Sequence, residues 1–239
     1  MLDMRSTKKL SSGRVVALIT GVLVLLLLVP PVTAAPITWT TWTPTNVGGP
    51  DVDPGTAQGT IGGINVTYTG ELFQVITGFP SWNPPSTFSG GTVGNPPPSS
   101  GGIVELMGGT TTVDTVTFSV PVTDPVMAIW SLGQNPGQRM YVFTVTEPFT
   151  IESGGPSQEF GGSTITTDFI VTVFGSEGNG TVQFNGTFTS ISWTNPLFEA
   201  VSGFTFGLPP QPATVPLPAS LVLLGVGLVG IRLVQRKRA

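Results

Sequence analysis

Apolar side chains recur at every second position through the middle of this 239-residue chain, and that alternation limits what the chain can fold into. Residues 115–120 read Thr-Val-Thr-Phe-Ser-Val, which places the three apolar residues on one face of an extended strand. The same spacing appears in four further sets: Tyr141, Phe143 and Val145; Phe169, Val171 and Val173; Val182, Phe184 and Phe188; and Phe204 and Phe206. After Phe188 the spacing slips to Ile191 and Trp193, which predicts a bulge near Thr189. Alternation of this kind is typical of antiparallel strands with one buried face.

Turn signals, rather than helical periods, separate these segments. Clusters such as Asn135-Pro136-Gly137 mark turns, and no stretch of the middle region shows a convincing helical period. The strands that the pattern predicts are residues 37–43, 58–69, 72–76, 103–107, 113–120, 125–132, 139–146, 148–152, 164–174, 180–193 and 199–207. We therefore predict an all-β fold: a single antiparallel, jelly-roll-like β-sandwich ectodomain over residues 35–207. Residues 78–102, rich in Pro, Ser and Gly, are predicted to form a long surface loop.

The first 34 residues have the parts of a secretory signal peptide. A basic start that includes Arg5 and Arg14 precedes an apolar run over residues 15–29. Two prolines end the run, and small residues up to Ala34 predict cleavage by signal peptidase after Ala34. Cleavage one residue later, which would leave a proline first, and an uncleaved anchor are the alternatives.

The composition of the exported part excludes several classes of function. The chain contains no cysteine and no histidine, so disulfides, thiol chemistry and the commonest general base are absent. Residues 36–216 hold twelve acidic residues and one basic residue, Arg139, a net charge of −11. A domain this acidic repels nucleic acid and anionic lipid, so no nucleic-acid partner is predicted.

The last 25 residues combine a proline motif, an apolar run and a basic end. The motif and the basic end consist of Val215, Pro216, Leu217, Pro218 and Ala219, and of Arg232, Arg236, Lys237 and Arg238. As a helix, residues 219–231 would be roughly 20 Å long, short of the ~30 Å hydrocarbon core. Because Arg232 can snorkel to the interface, we predict a short transmembrane helix over about residues 218–234, with a cytoplasmic C-terminus before processing. Residues 208–216 are predicted to be a proline-rich stalk.

This tail, residues 215–239, resembles the sorting signal of PEP-CTERM proteins, which are bacterial surface proteins, and in particular its VPLPA-CTERM form. The motif at residues 215–219, the apolar run and the basic end follow one another in the order of that signal. The resemblance implies recognition by an exosortase, a membrane-embedded cysteine transpeptidase, and an association with exopolysaccharide and biofilm. A plain single-span anchor on a proline-rich stalk is the alternative.

The exported region offers few residues for catalysis. A glycosidase needs two facing carboxylates, and the candidates by residue type are Glu105, Asp114, Asp124, Glu147 and Glu199. Most of them lie at predicted strand ends, where a solvated acid is normal. Hydroxyl nucleophiles lack the histidine that normally activates them. We therefore predict no catalytic residue and no enzymatic role.

Two features of the sequence point to ligands. Asp51 and Asp53 lie two residues apart in a Gly/Pro turn and are candidates for Ca²⁺, although the distal Glu of a full calcium loop is missing. Turn capping is the alternative role for both, and no other cofactor is predicted. Trp82, in the proline-rich loop, is the candidate aromatic for stacking on a sugar ring, and pinning the loop to the sheet is its alternative role.

These observations predict an exported, membrane-anchored or released cell-surface protein. Its predicted function is that of a non-catalytic structural or interaction component of the extracellular polysaccharide matrix. A carbohydrate-binding, lectin-like module is the alternative, followed by a glycoside hydrolase. A sheet face with exposed aromatic rings would favour the lectin, a uniformly polar surface the structural component, and two carboxylates facing each other in a cleft the hydrolase.

Overall fold

The computed structural model describes residues 34–46, 52–78, 82–134, 139–143, 149–168 and 171–211. Within these ranges the fold is all-β, and its strand ladders are antiparallel. The strands are β1 (Thr38–Trp39), β2 (Thr41–Trp42), β3 (Thr45–Asn46), β4 (Val52–Ile61), β5 (Ile64–Leu72), β6 (Gln74–Ile76), β7 (Ile103–Leu106), β8 (Asp114–Thr123), β9 (Val126–Leu132), β10 (Arg139–Phe143), β11 (Phe149–Gly154), β12 (Thr166–Thr167), β13 (Thr172–Gly175), β14 (Gly178–Phe184), β15 (Thr187–Thr194) and β16 (Ser202–Leu208). Short 3-10 helices lie at Pro85–Thr87 and Ser99–Gly101. Among the described residues, no helix is long and apolar enough to cross a membrane.

The strands form two eight-stranded sheets. Sheet I has the order β11-β14-β9-β16-β7-β6-β3, with β1 paired to β16, and sheet II has the order β12-β13-β10-β15-β8-β5-β4-β2. From β7 onward the chain changes sheet at each step except between β12 and β13. The pairs are consequently nested: β8 with β15, β9 with β14, and β10 with β13. Residues that are neighbours in a sheet are therefore far apart in sequence, as in the Thr115–Ser192 pair, 77 residues apart.

The inner faces of the two sheets share one hydrophobic core. Strands β5, β8 and β15 of sheet II and β9, β14 and β16 of sheet I supply much of it, and β2 and β10 add the large side chains of Trp42 and Tyr141. Phe204 of β16 crosses the gap, with its ring 5.1 Å from that of Tyr68 and 5.0 Å from that of Trp193. Edge-to-face contacts of this kind suit the quadrupoles of the rings. Val116 and Phe118 of β8 lie in this core, as the alternation predicted, and so does Val122. Val120, which the alternation placed on the same face, is instead 47 % exposed.

Sheet I is also covered on its outer face. A second cluster joins Val126, Ala128 and Trp130 of β9 to side chains from residues 82–93 and from the N-terminal segment. The described part of the predicted loop, residues 82–102, is therefore an apolar cover rather than a solvated connection. This explains why β9, β14 and β16 are buried at every position, since strands buried on both faces do not alternate.

The described central part of the outer face of sheet II is rich in hydroxyl groups. Two rows of side chains cross it in register. The rows are Thr56, Thr69, Thr115 and Ser192, and Gln58, Thr67, Thr117 and Ser190. Every member of both rows is exposed or half-exposed. The two rows are polar throughout and contain no aromatic ring, although Val120 of β8 is also exposed. A polar surface of this kind favours a structural component over a lectin that uses its sheet face.

The predicted strand boundaries need four corrections. The segment 37–43 is two short strands, β1 of sheet I and β2 of sheet II. The segment 58–69 is a hairpin rather than one strand, because Gly62 and Gly63 adopt φ of +53° and +89°, which a tight turn requires. The segment 180–193 is two strands, β14 of sheet I and β15 of sheet II, and 164–174 contains two short strands. The predicted bulge near Thr189 is confirmed, because the register between β15 and β8 shifts between Phe188 and Ser190.

Both targeting segments lie outside the described residues, except Ala34, which is exposed. The signal peptide, the sorting motif at residues 215–219, the basic residues from Arg232 to Arg238 and the predicted membrane helix therefore stay predictions in structural terms. The described residues of the stalk end at Gln211, whose side-chain amide accepts a hydrogen bond from the Thr123 backbone N–H at 2.7 Å.

Candidate functional site

One end of the two sheets gathers several connecting segments. The strands β7, β9 and β15 end there and β16 begins there, because Ser202 pairs with Leu106 and Gly203 with Trp130. The chain leaves the sheets after Leu208, at the other end of β16. Loops at the end of a sheet fold are common places for binding residues, because a rigid scaffold positions them.

Phe160 is one of two aromatic side chains exposed at this end, together with Phe198. Phe160 lies on the short turn Ser157–Gly161, which is closed by two backbone hydrogen bonds between Ser157 and Gly161, of 2.6 and 3.1 Å. The ring of Phe160 is 57 % exposed and packs on Trp130, with centroids 5.3 Å apart. Trp130 is only 2 % exposed, so it provides a fixed base under a ring whose other side faces solvent.

Two non-glycine residues beside Phe160 have left-handed backbones. Ser131 has φ of +57° and Glu177 has φ of +51°. They are held together, because the Ser131 hydroxyl donates to the Glu177 carboxylate at 2.6 Å and the Ser131 N–H donates to Asn179 Oδ1 at 2.8 Å. Left-handed conformations cost a residue with a Cβ about 1–2 kcal/mol and concentrate at functional sites.

These residues line a small open cleft of about 110 Å³, called here the Phe160 cleft. Its walls are Ser131, Gly133, Gln134, Phe160, Glu177, Ala200 and Val201. The lining combines an aromatic ring and two aliphatic side chains with an amide, a carboxylate and a hydroxyl. Binding sites for small polar molecules commonly have this composition, in which apolar surface gives affinity and a few polar groups fix the orientation.

A wider trough of about 430 Å³ lies at the β2–β4–β5 side of sheet II. Its polar lining consists of Thr41, Thr43, Gln58, Thr60, Asn65 and Thr67. The aromatic residue beside it, Trp42, is 2 % exposed and belongs to the core. The trough therefore offers hydroxyl and amide groups but no ring on which a ligand can stack.

Four carboxylates are buried, those of Glu71, Glu105, Asp114 and Glu199, which corrects the expectation that the acids at strand ends are solvated. Three of them accept hydrogen bonds from backbone N–H groups. Glu71 Oε1 accepts hydrogen bonds from the backbone N–H groups of Met107, at 3.1 Å, and Gly108, at 2.6 Å. Asp114 Oδ1 accepts from the Tyr68 hydroxyl at 2.7 Å and from the Glu71 N–H at 2.9 Å. The third is Glu199, which accepts from a loop N–H. The partners of these carboxylates are therefore backbone N–H groups rather than a cation, and the hydrogen bonds help to fix the backbone of the connecting loops.

Burial also decides what the candidate catalytic acids can do. Glu105, Asp114 and Glu199 are each at most 3 % exposed, so a substrate in solution has no access to them. Asp124 lies in the β8–β9 turn, where its carboxylate accepts the Gly186 N–H at 2.8 Å. Glu147 lies outside the described residues. The facing pair of accessible carboxylates that a hydrolase needs is not found among the described candidates.

The acids near Trp130 have raised pKa values. Burial raises the pKa of Glu105 above its ordinary value, the negative charge of Glu159 adds to that shift, and a hydrogen bond from Gln74 at 2.6 Å opposes it. Burial likewise raises the pKa of Glu159, against a hydrogen bond from the Trp130 indole. Glu159 directly precedes Phe160, so this indole–carboxylate contact helps to fix the turn.

Trp82 does not have the exposure that a sugar-stacking role requires, and that prediction is wrong. Its ring is 3 % exposed and packs edge-to-face on Phe88 at 5.2 Å, in the cover of sheet I. The described loops expose two aromatic residues, Phe160 and Phe198, each 57 % exposed, and the alternation analysis missed both. One signal was available: Phe160 is a lone ring between Gln158-Glu159 and Gly161-Gly162, outside any alternating segment.

The proposed calcium ligands are only partly visible. Asp51 lies outside the described residues, and Asp53 is described in its backbone alone, as part of β4. Among the described residues, no group of three or more Asp, Glu, His or Cys side chains could hold a metal ion. The prediction about Asp51 and Asp53 therefore remains untested.

Comparison with known proteins identifies the tail. Residues 214–238 match the PEP-CTERM protein-sorting motif, which confirms the resemblance seen at residues 215–219. A motif of this kind is processed by an exosortase and indicates an exported, membrane-associated or cell-surface protein. No curated protein and no solved structure matches the chain.

Proposed function

We propose that this chain is an exosortase substrate whose β-sandwich ectodomain is a non-catalytic structural or interaction component of the extracellular polysaccharide matrix. The observation that carries the proposal is the sorting motif at residues 214–238. With a cleavable signal peptide ending at Ala34, the ectodomain crosses the membrane and the tail holds it there until processing. Signal peptidase and exosortase are then its processing partners.

The architecture supports a structural role. Two sheets with a shared core and a second apolar cluster form a jelly-roll-like sandwich that buries apolar surface on both faces of sheet I. The outer face of sheet II offers rows of threonine and serine hydroxyls without charge. A face of this kind hydrogen bonds with water and with hydroxylated polymers and resists self-association through apolar contact.

The structural role of the buried carboxylates supports a non-catalytic function in this proposal. Glu71, Asp114 and Glu199 are buried and engaged with backbone N–H groups, so their role in the fold is structural. Removing one of them would leave backbone donors without a partner, which costs about 1–3 kcal/mol for each buried group. The proposal therefore includes no catalytic residue and no cofactor.

Mass spectrometry of the native protein tests the proposal. If the tail is an exosortase signal, the mature C-terminus should lie near residues 215–219, and most of the basic end should be missing. Deletion of residues 214–239 should prevent retention at the cell surface while leaving export intact. Recovery of the intact end from Arg236 to Ala239 on the surface protein would show a plain anchor instead.

A further inference from the structure

We propose that the Phe160 cleft binds a neutral saccharide, with the ring of Phe160 as the stacking platform. This inference rests on the proposed function, because it names the partner class of the exported ectodomain. It assigns to the loop end of the fold a role that the sheet faces do not have, since no exposed ring is found among the described side chains on the outer face of sheet II, and the outer face of sheet I is covered.

The platform is rigid before any ligand arrives. The Ser157–Gly161 turn is closed on itself, and Asn179 Nδ2 donates to the Gly161 carbonyl at 3.2 Å. The N–H of Gln158 also donates to the Asn83 carbonyl at 2.8 Å, which ties the turn to the cover of sheet I. Trp130 supports the ring of Phe160 from below. A ring fixed in this way loses little conformational freedom on binding.

The polar groups are placed beside that ring rather than under it. Glu177, Gln134 and Ser131 line the same cleft as Phe160. The hydrogen bond from Ser131 holds Glu177 in place, so its carboxylate has a defined direction. A sugar ring has an apolar C–H face and a rim of hydroxyl groups. It can place that face on Phe160 while the rim hydroxyls donate to Glu177 and exchange hydrogen bonds with Gln134.

Charge selects a neutral saccharide over an anionic one. The cleft contains Glu177, and Glu159 adjoins its aromatic wall. The only basic residue in residues 36–216 is Arg139, so the surrounding field is negative. Uronic acids or sulfated sugars would meet like charge within about one Debye length, ~8–10 Å at physiological salt. The opposite wall, Ala200 and Val201, is aliphatic and suits the C–H surface of a hexose.

The position of the cleft fits an outward-facing partner. Ser202, at the start of β16, is next to the cleft wall, whereas Leu208 ends that strand on the side from which the chain continues to the tail. Seven residues of strand separate the two ends by roughly 20 Å at about 3.3 Å per residue. The cleft therefore lies at the end of the sheets that is remote from the chain's exit toward the sorting motif.

The test applies the full chain, purified in detergent micelles, to a printed array of neutral and anionic glycans. Four proteins are compared: the native chain, Phe160→Ala, Phe160→Trp and Phe198→Ala. Phe198 is the matched control, because it is also 57 % exposed but does not line the cleft. We expect binding to at least one neutral glycan, a loss of about tenfold in Phe160→Ala, and retention in Phe160→Trp and Phe198→Ala. Far-UV circular dichroism and melting curves should be close to those of the native chain in all three variants.

Several results would overturn the inference. They are no binding to any glycan, preference for anionic glycans, retained binding in Phe160→Ala, or an equal loss in Phe198→Ala. A native dimer that Phe160→Ala converts to a monomer would show that the cleft contacts a second copy of the chain instead. Any of these results, combined with a mature C-terminus near residues 215–219, would leave the proposed function intact. An unprocessed tail combined with glycan binding would contradict the proposed exosortase processing and leave the inference about the Phe160 cleft intact.

Discussion

Replacing Trp82 with alanine tests whether residues 78–102 belong to the fold. The side chain is 3 % exposed and packs on Phe88 within the second apolar cluster, which also contains Ala128 and Trp130 of β9. Removing the indole would open a cavity between the cover and sheet I. It would also weaken the segment that supports the Phe160 turn through Asn83.

The expected cost follows from that burial. Truncation of a buried tryptophan to alanine typically costs about 3–5 kcal/mol, against a total stability of about 5–15 kcal/mol for a domain. For a domain of roughly 180 residues, 1 kcal/mol corresponds to about 2–4 °C in melting temperature. Trp82→Ala should therefore lower the melting temperature by about 6–20 °C, and Trp82→Phe by less, because most of the space stays filled.

Thermal unfolding followed by near-UV circular dichroism measures this shift, with urea titration as a second measure of the free energy of unfolding. Phe198→Ala serves as the control for loss of an exposed ring, and its effect should stay within about 0.5 kcal/mol. A Trp82→Ala protein that melts like the native one would refute the reasoning. It would mean that residues 78–102 are a solvated loop, as the sequence pattern predicted.

Three further predictions concern charge and pH. Because burial raises the pKa of Glu105 above its ordinary value of 4.5, the folded state loses stability as the pH rises above 4.5. Glu105→Gln should therefore be more stable than the native protein at pH 7, and the difference should vanish below pH 4.5. An equal difference in urea titrations at pH 7 and below pH 4.5 would contradict this. Burial raises the pKa values of Tyr68 and Tyr141, the chain's two tyrosines, well above 10.0, so stability should fall at alkaline pH and tyrosinate absorbance should appear only together with unfolding; a native spectrum with ionised tyrosine would contradict this. Because residues 36–216 have a net charge of −11, the melting temperature should rise as NaCl approaches 0.1 M, where the Debye length is ~10 Å, and a fall would count against self-repulsion.

Several acidic residues have a role in the structure that the composition alone does not predict. Twelve acidic residues and one basic residue predict a repulsive surface, yet several of the acids are interior groups that accept hydrogen bonds from backbone N–H groups. Glu71 and Asp114 form a connected pair in this way, because the N–H of one residue donates to the carboxylate of the other. Charge-assisted hydrogen bonds of this kind are stronger than neutral ones, so they can fix loops in a chain that has no disulfides.

The candidate site could be predicted only in part. The expectation that a loop aromatic is the ligand platform selected Trp82, because the loop at residues 78–102 reads as polar and irregular. Whether an aromatic side chain in a loop is exposed depends on the surface beneath the loop. In this protein, that surface is the apolar outer face of β9. Phe160 is exposed because it extends past the edge of that cover, with Trp130 below it and the cleft beside it.

The sequence by itself determined the features that are local. Period-two alternation predicted the all-β class and the bulge near Thr189, and the order of motif, apolar run and basic end predicted the sorting signal, since each of these patterns is encoded within a short stretch. The tertiary structure alone decided the nested strand order, the burial of Trp82, Asp114 and Glu199, and the left-handed pair Ser131–Glu177. These features depend on contacts between residues far apart in the chain, and no local period records which segment will cover which face of a sheet.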